Sequence, residues 1–232
     1  MQLRCLGSNS LGNCYLLECS EECLIIEAGI PFREVKKALD FNISKVVGVV
    51  VSHCHSDHAK YCEEYLKAGI PVFKAYEIMT PDLEFGRFLI RPFKLEHDVD
   101  CYGFYIRHKS LGSLVFATDT YYIKYRFSDV NHIMVECNYS QKIINSRTNQ
   151  GETVNGLRDR VLQSHMELET CKEFIRTNMS TYLDNVILLH LSDGNSDERL
   201  FQEEVQEIVG PGTNVFIADK GLCIDISALP FN

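Results

Sequence analysis

Apolar residues in this chain fall in short runs separated by polar turns, with strand-like and helix-like spacings interleaved. Residues 3–6 read as a strand, followed by the polar turn Gly7-Ser8-Asn9-Ser10-Leu11-Gly12-Asn13. Residues 14–18 and 23–27, joined by a tight acidic turn, complete an antiparallel meander. Residues 32–39 have helical spacing, with Val35 and Leu39 one turn apart. Residues 46–52 form an apolar run that reads as a buried strand. Residues 59–68 read as a helix closed by Gly69, and residues 70–76 as another strand.

The second half predicts strands over 88–95, 103–107, 113–118, 133–137 and 186–191, and helices over 168–177 and 198–209. Residues 214–218 and 222–226 read as a closing hairpin around Asp219-Lys220-Gly221. Strands and helices interleaved over both halves imply a layered α/β protein with mixed sheets. With no repeat and no Pro/Ser-rich linker, a single domain over residues 1–232 is expected.

At 232 residues the chain can bury a core without help from disulfides. No apolar stretch approaches the roughly 20 residues of a membrane span, and the opening MQLRCLGSNSLGN has no apolar signal region. A cytoplasmic protein is the expectation, with the ten cysteines as reduced thiols. The absence of any C-x-x-C pair argues against a separate zinc knuckle. A net charge of −9 argues against a general polyanion binder. Yet Arg107, Lys109, Lys124, Arg126, Lys142, Arg147, Arg158 and Arg160 lie in one stretch with few acids, leaving room for a local basic rim.

The sharpest signal is Ser52-His53-Cys54-His55-Ser56-Asp57-His58, which gathers three of the eight histidines and a carboxylate between an apolar strand and a helix. Imidazole and carboxylate are ligands for zinc, manganese and iron. In extended chain, residues i and i+2 point the same way, so His53 and His55 can reach one ion while Cys54 points away. Asp57 and His58, at the turn into the helix, are offset toward a second ion. His97, Asp119 and His190 each stand at or near the end of an apolar strand, where a sheet can aim a polar side chain into a cleft. His108 and His132 read as surface or loop residues.

This pattern resembles the metallo-β-lactamase superfamily, and most closely the small bacterial exonuclease-like branch encoded beside the cell-wall-regulating two-component system. Gly7-Ser8 with Gly12-Asn13, Thr118-Asp119 and His190-Leu191-Ser192 carry the likeness to that branch. The resemblance implies a four-layer αββα sandwich and two divalent metal ions, zinc or manganese, with iron a further candidate. By carry-over, His53, His55 and His97 hold one ion, Asp57, His58 and His190 the other, and Asp119 bridges them. The sequence departs in two places. Glu27 stands where the family usually has Asp, and Asn138-Tyr139-Ser140 stands where the branch often has Asn-His-Asp.

The implied chemistry is hydrolysis of a phosphodiester by water activated between two metals. Asp57 and His165 are the candidate catalytic residues. His165 lies at a polar break before the helix at 168, and a histidine near pKa 6.5 can donate a proton to a leaving alkoxide. The favoured substrate is DNA or RNA. The alternatives are a phosphodiesterase for cyclic nucleotides, whose pocket a homodimer could close, and an ester hydrolase of lactonase or thioesterase type. A metal-stabilised interaction protein without turnover is a further reading. A flavin-linked redox role has no room for its second domain.

Overall fold

The computed structural model describes residues 1–78, 80–149 and 161–228. The first half runs β1 (Gln2–Asn9), β2 (Gly12–Glu18), β3 (Cys23–Ile26), α1 (Phe32–Ala38), β4 (Val46–Val51), α2 (Ser56–Ala59), α3 (Cys62–Lys67) and β5 (Val72–Lys74). The second half begins with β6 (Leu83–Phe85), β7 (Phe88–Leu95), β8 (Cys101–His108), β9 (Gly112–Ala117), β10 (His132–Glu136) and α4 (Gln141–Asn149). It ends with α5 (Leu168–Asn178), β11 (Asn185–Leu189), α6 (Glu198–Val209), β12 (Asn214–Ile217) and β13 (Cys223–Asp225).

The strands form two mixed sheets, in the orders β13-β1-β2-β3-β4-β5 and β12-β11-β10-β9-β8-β7-β6. One apolar cluster joins Leu3, Tyr15, Leu17, Leu24 and Ile26 of the first sheet to Phe104, Phe116, Met134 and Ile187 of the second, so the sheets pack face to face. Leu16, Ile25, Val49 and Val51 turn outward against Phe32, Val35 and Tyr65 of the first helices. Val115, Val135, Val186 and Leu188 turn outward against Phe174, Ile175, Phe201 and Val205 of α5 and α6. Covered on both faces, β3, β10 and β11 are buried throughout, and their continuous apolar runs follow from that. The result is the αββα arrangement expected from the resemblance, with each fully buried Leu, Ile or Phe contributing about 1.5–3 kcal/mol.

Several local expectations fail for tertiary reasons. The helix expected over 59–68 begins only at Cys62, after a separate short helix over 56–59, and between them Tyr61 N–H donates to Ala28 O (3.0 Å) and Ala28 N–H to His58 O (2.7 Å), pulling the chain out of helical register. The closing hairpin is absent. β12 pairs in parallel with β11, whereas β13 pairs with β1 in the other sheet, so the Asp219-Lys220-Gly221 turn is a crossover between sheets. His108 and His132 are buried rather than at the surface. His132 lies between Leu111 O (3.0 Å) and Asn185 Nδ2 (3.0 Å), and burial lowers it to about 4, so it sits neutral in the core. His108 Nε2 donates to Glu22 Oε1 (2.9 Å). Among the basic residues of the 107–160 stretch, Arg158 and Arg160 lie outside the described residues. All ten cysteines are free thiols, and no helix among the described residues is long and apolar enough to cross a membrane.

Candidate metal centre

Strands β3, β4, β9, β10 and β11 run so that their carboxyl ends meet along one edge of the sandwich. That edge is where polar side chains can emerge from an apolar sheet. Glu27 and His190 follow directly on β3 and β11, Asp119 follows β9 after Thr118, and all three take positive φ (67°, 54° and 50°). Left-handed backbone at a non-glycine residue costs about 1–3 kcal/mol, and here it ends the strand while turning the side chain into the cleft. His97 enters the same edge from the β7–β8 connection.

Three overlapping sets of potential ligand atoms converge there, one of them Asp119, Glu136, His165 and His190; the other two hold all the ligands expected from the sequence. His53, His55, His97 and Asp119 form one, and Asp57, His58, Asp119 and His190 the other, with the atoms of each set within 4.8 Å of one another. Asp119 is common to both. His97 Nε2 lies 3.4 Å from His55 Nδ1, and His58 Nε2 lies 3.3 Å from both Asp57 Oδ2 and Asp119 Oδ2. Cys54 is exposed and belongs to neither set. All seven residues singled out in the sequence as ligands are therefore brought together.

The donor set fits cations. His53 Nε2 and His190 Nε2 are buried nitrogens with no hydrogen-bond partner, a costly state unless something else meets them. Burial, reinforced by the charge of His58, drives His53 down to about 2, so its imidazole is neutral and keeps a lone pair. Burial alone would raise Asp119, but the imidazoles of His190, His58 and His53 hold its carboxyl well below the usual range. His53 beside the ionised Asp119 is in the state metal binding requires; burial alone would lower His58 and His190, but the Asp119 carboxylate raises both, and they would release their protons to a metal.

A second ring of contacts orients these groups. Ser52 Oγ lies 2.8 Å from His53 Nδ1, and Ser164 O accepts from His97 Nδ1 (3.1 Å). Glu27 accepts from the Ser52 N–H (3.3 Å) and faces His58 Nδ1 (3.4 Å), so the longer acid still reaches the ligand loop. Asn13 Nδ2 lies 2.9 Å from His58 Nε2, and Ser8 Oγ accepts from the His190 N–H (3.0 Å), which assigns contacts to the opening Gly-Ser and Gly-Asn pairs. Asn138 Nδ2 donates to His190 O (2.7 Å) and lies 3.1 Å from its Nδ1. Outer contacts of this kind fix which nitrogen faces a metal.

His165 also reaches the cluster. Its ring stacks on His190 at 5.3 Å between centroids and stands 6.1 Å from His97. Its Nδ1 lies 2.6 Å from Glu136 Oε1. Burial alone would lower His165, but the Glu136 carboxylate raises it to about 9 rather than leaving it near 6.5. Glu136 is fully buried and also accepts from the Thr120 N–H (2.8 Å). Neither Glu136 nor Asp98, whose Oδ1 lies 2.9 Å from His97 Nε2, stood out in the sequence. The signal for Glu136 was available: an acid ending an apolar strand, like Asp119.

Residues 8–96 match the Metallo-beta-lactamase superfamily profile. The chain is 24% identical to exodeoxyribonuclease YycJ of Bacillus anthracis, over 88% of this chain and 87% of that protein. It is 23% identical to exodeoxyribonuclease WalJ of Streptococcus pneumoniae, over 84% of this chain and 83% of that protein. In fold it is similar to the metallo-β-lactamase fold protein YhfI of Bacillus subtilis, with a TM-score of 0.71 at 17% identity over 96% and 98% of the two chains. The fold implies divalent metal ions, with the His and Asp groups above as candidate ligands. Residues 8–96 thus carry the match to the metallo-β-lactamase superfamily, and the chain as a whole has the metallo-β-lactamase fold.

Proposed function

We propose that the protein is a nuclease that hydrolyses phosphodiester bonds of DNA or RNA with two divalent metal ions. DNA is favoured because the relatives in B. anthracis and S. pneumoniae are named exodeoxyribonucleases. The observation that carries the reading is the pair of four-residue ligand sets sharing Asp119, with the His165–Glu136 pair beside them. His53, His55, His97 and Asp119 would hold one ion, and Asp57, His58, His190 and Asp119 the other. All-nitrogen-and-oxygen donors suit zinc, manganese or iron. Bound there, such ions supply Lewis acidity toward a phosphoryl oxygen and lower the pKa of water.

The chain's own residues divide the remaining work. Asp57 is ionised because the imidazoles of His190 and His58 outweigh its burial, so it can accept a hydrogen bond from attacking water. Glu136 accepts from His165 Nδ1 and keeps that ring protonated, leaving Nε2–H as the proton available to a departing alkoxide. The buried Glu136 and the stacked His190 fix the orientation of His165, so proton delivery needs no search.

Digestion of 5′-phosphorylated single-stranded DNA with Mn²⁺ or Zn²⁺, against an Asp119→Ala control, tests this. Progressive shortening that vanishes in the control is the expected result. An intact oligonucleotide beside turnover of bis(p-nitrophenyl) phosphate would move the reading to a small diester such as a cyclic nucleotide.

A further inference from the structure

The segment that leaves Asp119 alternates aromatic and cationic residues: Tyr121, Tyr122, Lys124, Tyr125, Arg126, Phe127. Tyr121, Tyr122 and Tyr125 are exposed, being 43%, 53% and 36% accessible. From residue 123 to 127 the chain is neither helix nor strand. Two features anchor it to the metal centre. Tyr122 bridges to Glu96, the neighbour of His97, and the Thr120 hydroxyl donates to Glu96 O (3.0 Å). The aromatic strip therefore starts between two of the candidate ligands.

Beside it lies a groove of about 640 Å³. Its walls combine Phe93, Tyr125 and Phe127 with the cations Arg91, Lys94 and Arg126. Phe93 packs edge-on against Tyr125 (5.5 Å) and Phe127 (4.9 Å), which steadies Tyr125 while leaving part of it open. Arg126 is exposed and makes no ion pair among the described residues. Arg91 and Lys94 pair with Asp82 and Asp100, and Lys124 with Glu96, at exposed or half-exposed positions where such pairs are weak and readily exchanged for a phosphate. The basic stretch anticipated from the sequence is thus divided. Lys124 and Arg126 lie here, whereas Arg107 and Lys109 sit at the far end of β8, away from the ligand cluster.

We infer that this groove is the track for a single-stranded DNA segment leading into the metal centre. The inference rests on the nuclease reading and adds the form of the substrate. Aromatic faces alternating with cations are what a single strand needs, since every base has a stacking face and every linkage a charge. A chain with net charge −9 cannot rely on its overall field, so phosphate attraction must be local. The groove meets that need, and its lining comes up to the ligand loop at Tyr102, whose N–H donates to the carbonyl oxygen of Ser52 (3.2 Å), the neighbour of His53. Bases stack on Tyr125 and its neighbours, and phosphates lie along Arg126, Lys94 and Arg91. Tyr125 is the sixth residue after Asp119, so the track lies within about 20 Å of chain from the centre.

The test measures fluorescence anisotropy of labelled phosphorothioate oligo-dT, which resists hydrolysis, with the intact metal-loaded protein and its Tyr125→Ala and Arg126→Glu variants across a salt series. A blunt duplex and oligo-U run in parallel, and bis(p-nitrophenyl) phosphate turnover reports on the centre itself. Each variant is expected to bind oligo-dT roughly tenfold or more weakly. Arg126→Glu should also flatten the salt dependence by about 0.7 in log–log slope, as loss of one phosphate contact requires. Small-diester turnover should stay at the wild-type rate, which also shows that the variants fold. Variants that bind the phosphorothioate oligo-dT and digest unmodified oligo-dT as well as the wild type does would overturn the track and leave the nuclease reading standing. Tighter binding of the duplex or of oligo-U than of oligo-dT would likewise overturn it. A wild-type protein that hydrolyses the small diester but neither binds nor digests DNA would overturn the nuclease reading, and the track with it.

Discussion

His165 and Glu136 form an ion pair of 2.6 Å across 29 residues of sequence, with His165 on a turn and Glu136 ending a fully buried strand. The pair makes His165 a cation at neutral pH, since the carboxylate raises it to about 9 against the pull of burial. A buried carboxylate that serves as the partner of an imidazole stacked on His190 has a chemical consequence that can be measured.

If His165 supplies the proton to the leaving oxygen, His165→Ala should lower kcat on DNA by about 10²–10⁴-fold. The same variant should lose far less on bis(p-nitrophenyl) phosphate, whose nitrophenolate leaves without a proton. Glu136→Gln should show the same leaving-group pattern with a smaller loss, because the ring stays stacked but loses the charge that keeps it protonated. Equal losses on both substrates would assign the pair to holding the site together instead.

The ligand loop depends on a close backbone approach at Gly29. A Cβ there would stand 1.7 Å from Asp57 O and 2.6 Å from Asn13 N, both backbone atoms that cannot swing aside. Gly29→Ala should therefore displace Asp57, lowering Tm and the metal bound per chain together, at a cost of at least about 1–3 kcal/mol. Gly212→Ala is the control, with nothing within 4 Å of its Cβ and an expected change within about 0.5 kcal/mol. Calorimetry with metal analysis on both variants decides the point. Wild-type metal content in Gly29→Ala would mean that the loop tolerates the displacement.

Far from the centre, Glu22 is held by the Arg87 N–H (2.9 Å), Arg87 Nε (2.5 Å) and His108 Nε2 (2.9 Å). Burial alone would raise its carboxyl, but the hydrogen bonds from Arg87 and His108 bring it below the usual glutamate value near 4.3. A carboxyl lowered in the folded state stabilises fully above its unfolded pKa, and that stabilisation is lost as pH falls through the folded value. Glu22→Gln should thus destabilise by about 1–3 kcal/mol at pH 7. The gap to wild type should narrow below about pH 4.3. Urea melts of both proteins from neutral to acid pH measure it, and a gap independent of pH would show that Glu22 acts by shape alone.

The local cluster from His53 to His58 was legible because its ligands are sequence neighbours, and strand alternation already fixes which of them face the same way. His97, Asp119 and His190 were legible for a related reason, as lone polar residues at the ends of apolar strands, where a sheet interior leaves them one exit. The layers followed from strand and helix periodicities, which report how many faces of an element are covered. The rest depended on which elements end up adjacent. Glu136 and His165 meet only because the β10 end and the turn before α5 face each other, and Asn13 reaches His58 only because β2 begins beside the α2 turn. The last two strands look like a hairpin from their pattern, yet they belong to different sheets, because each finds a longer-range partner in β11 or β1. The burial of His108 and His132 likewise comes from partners at Glu22 and Asn185. Periodicity records whether a residue is covered; only the assembled sheets decide by what, since hydrogen bonds between residues distant in sequence leave no local trace.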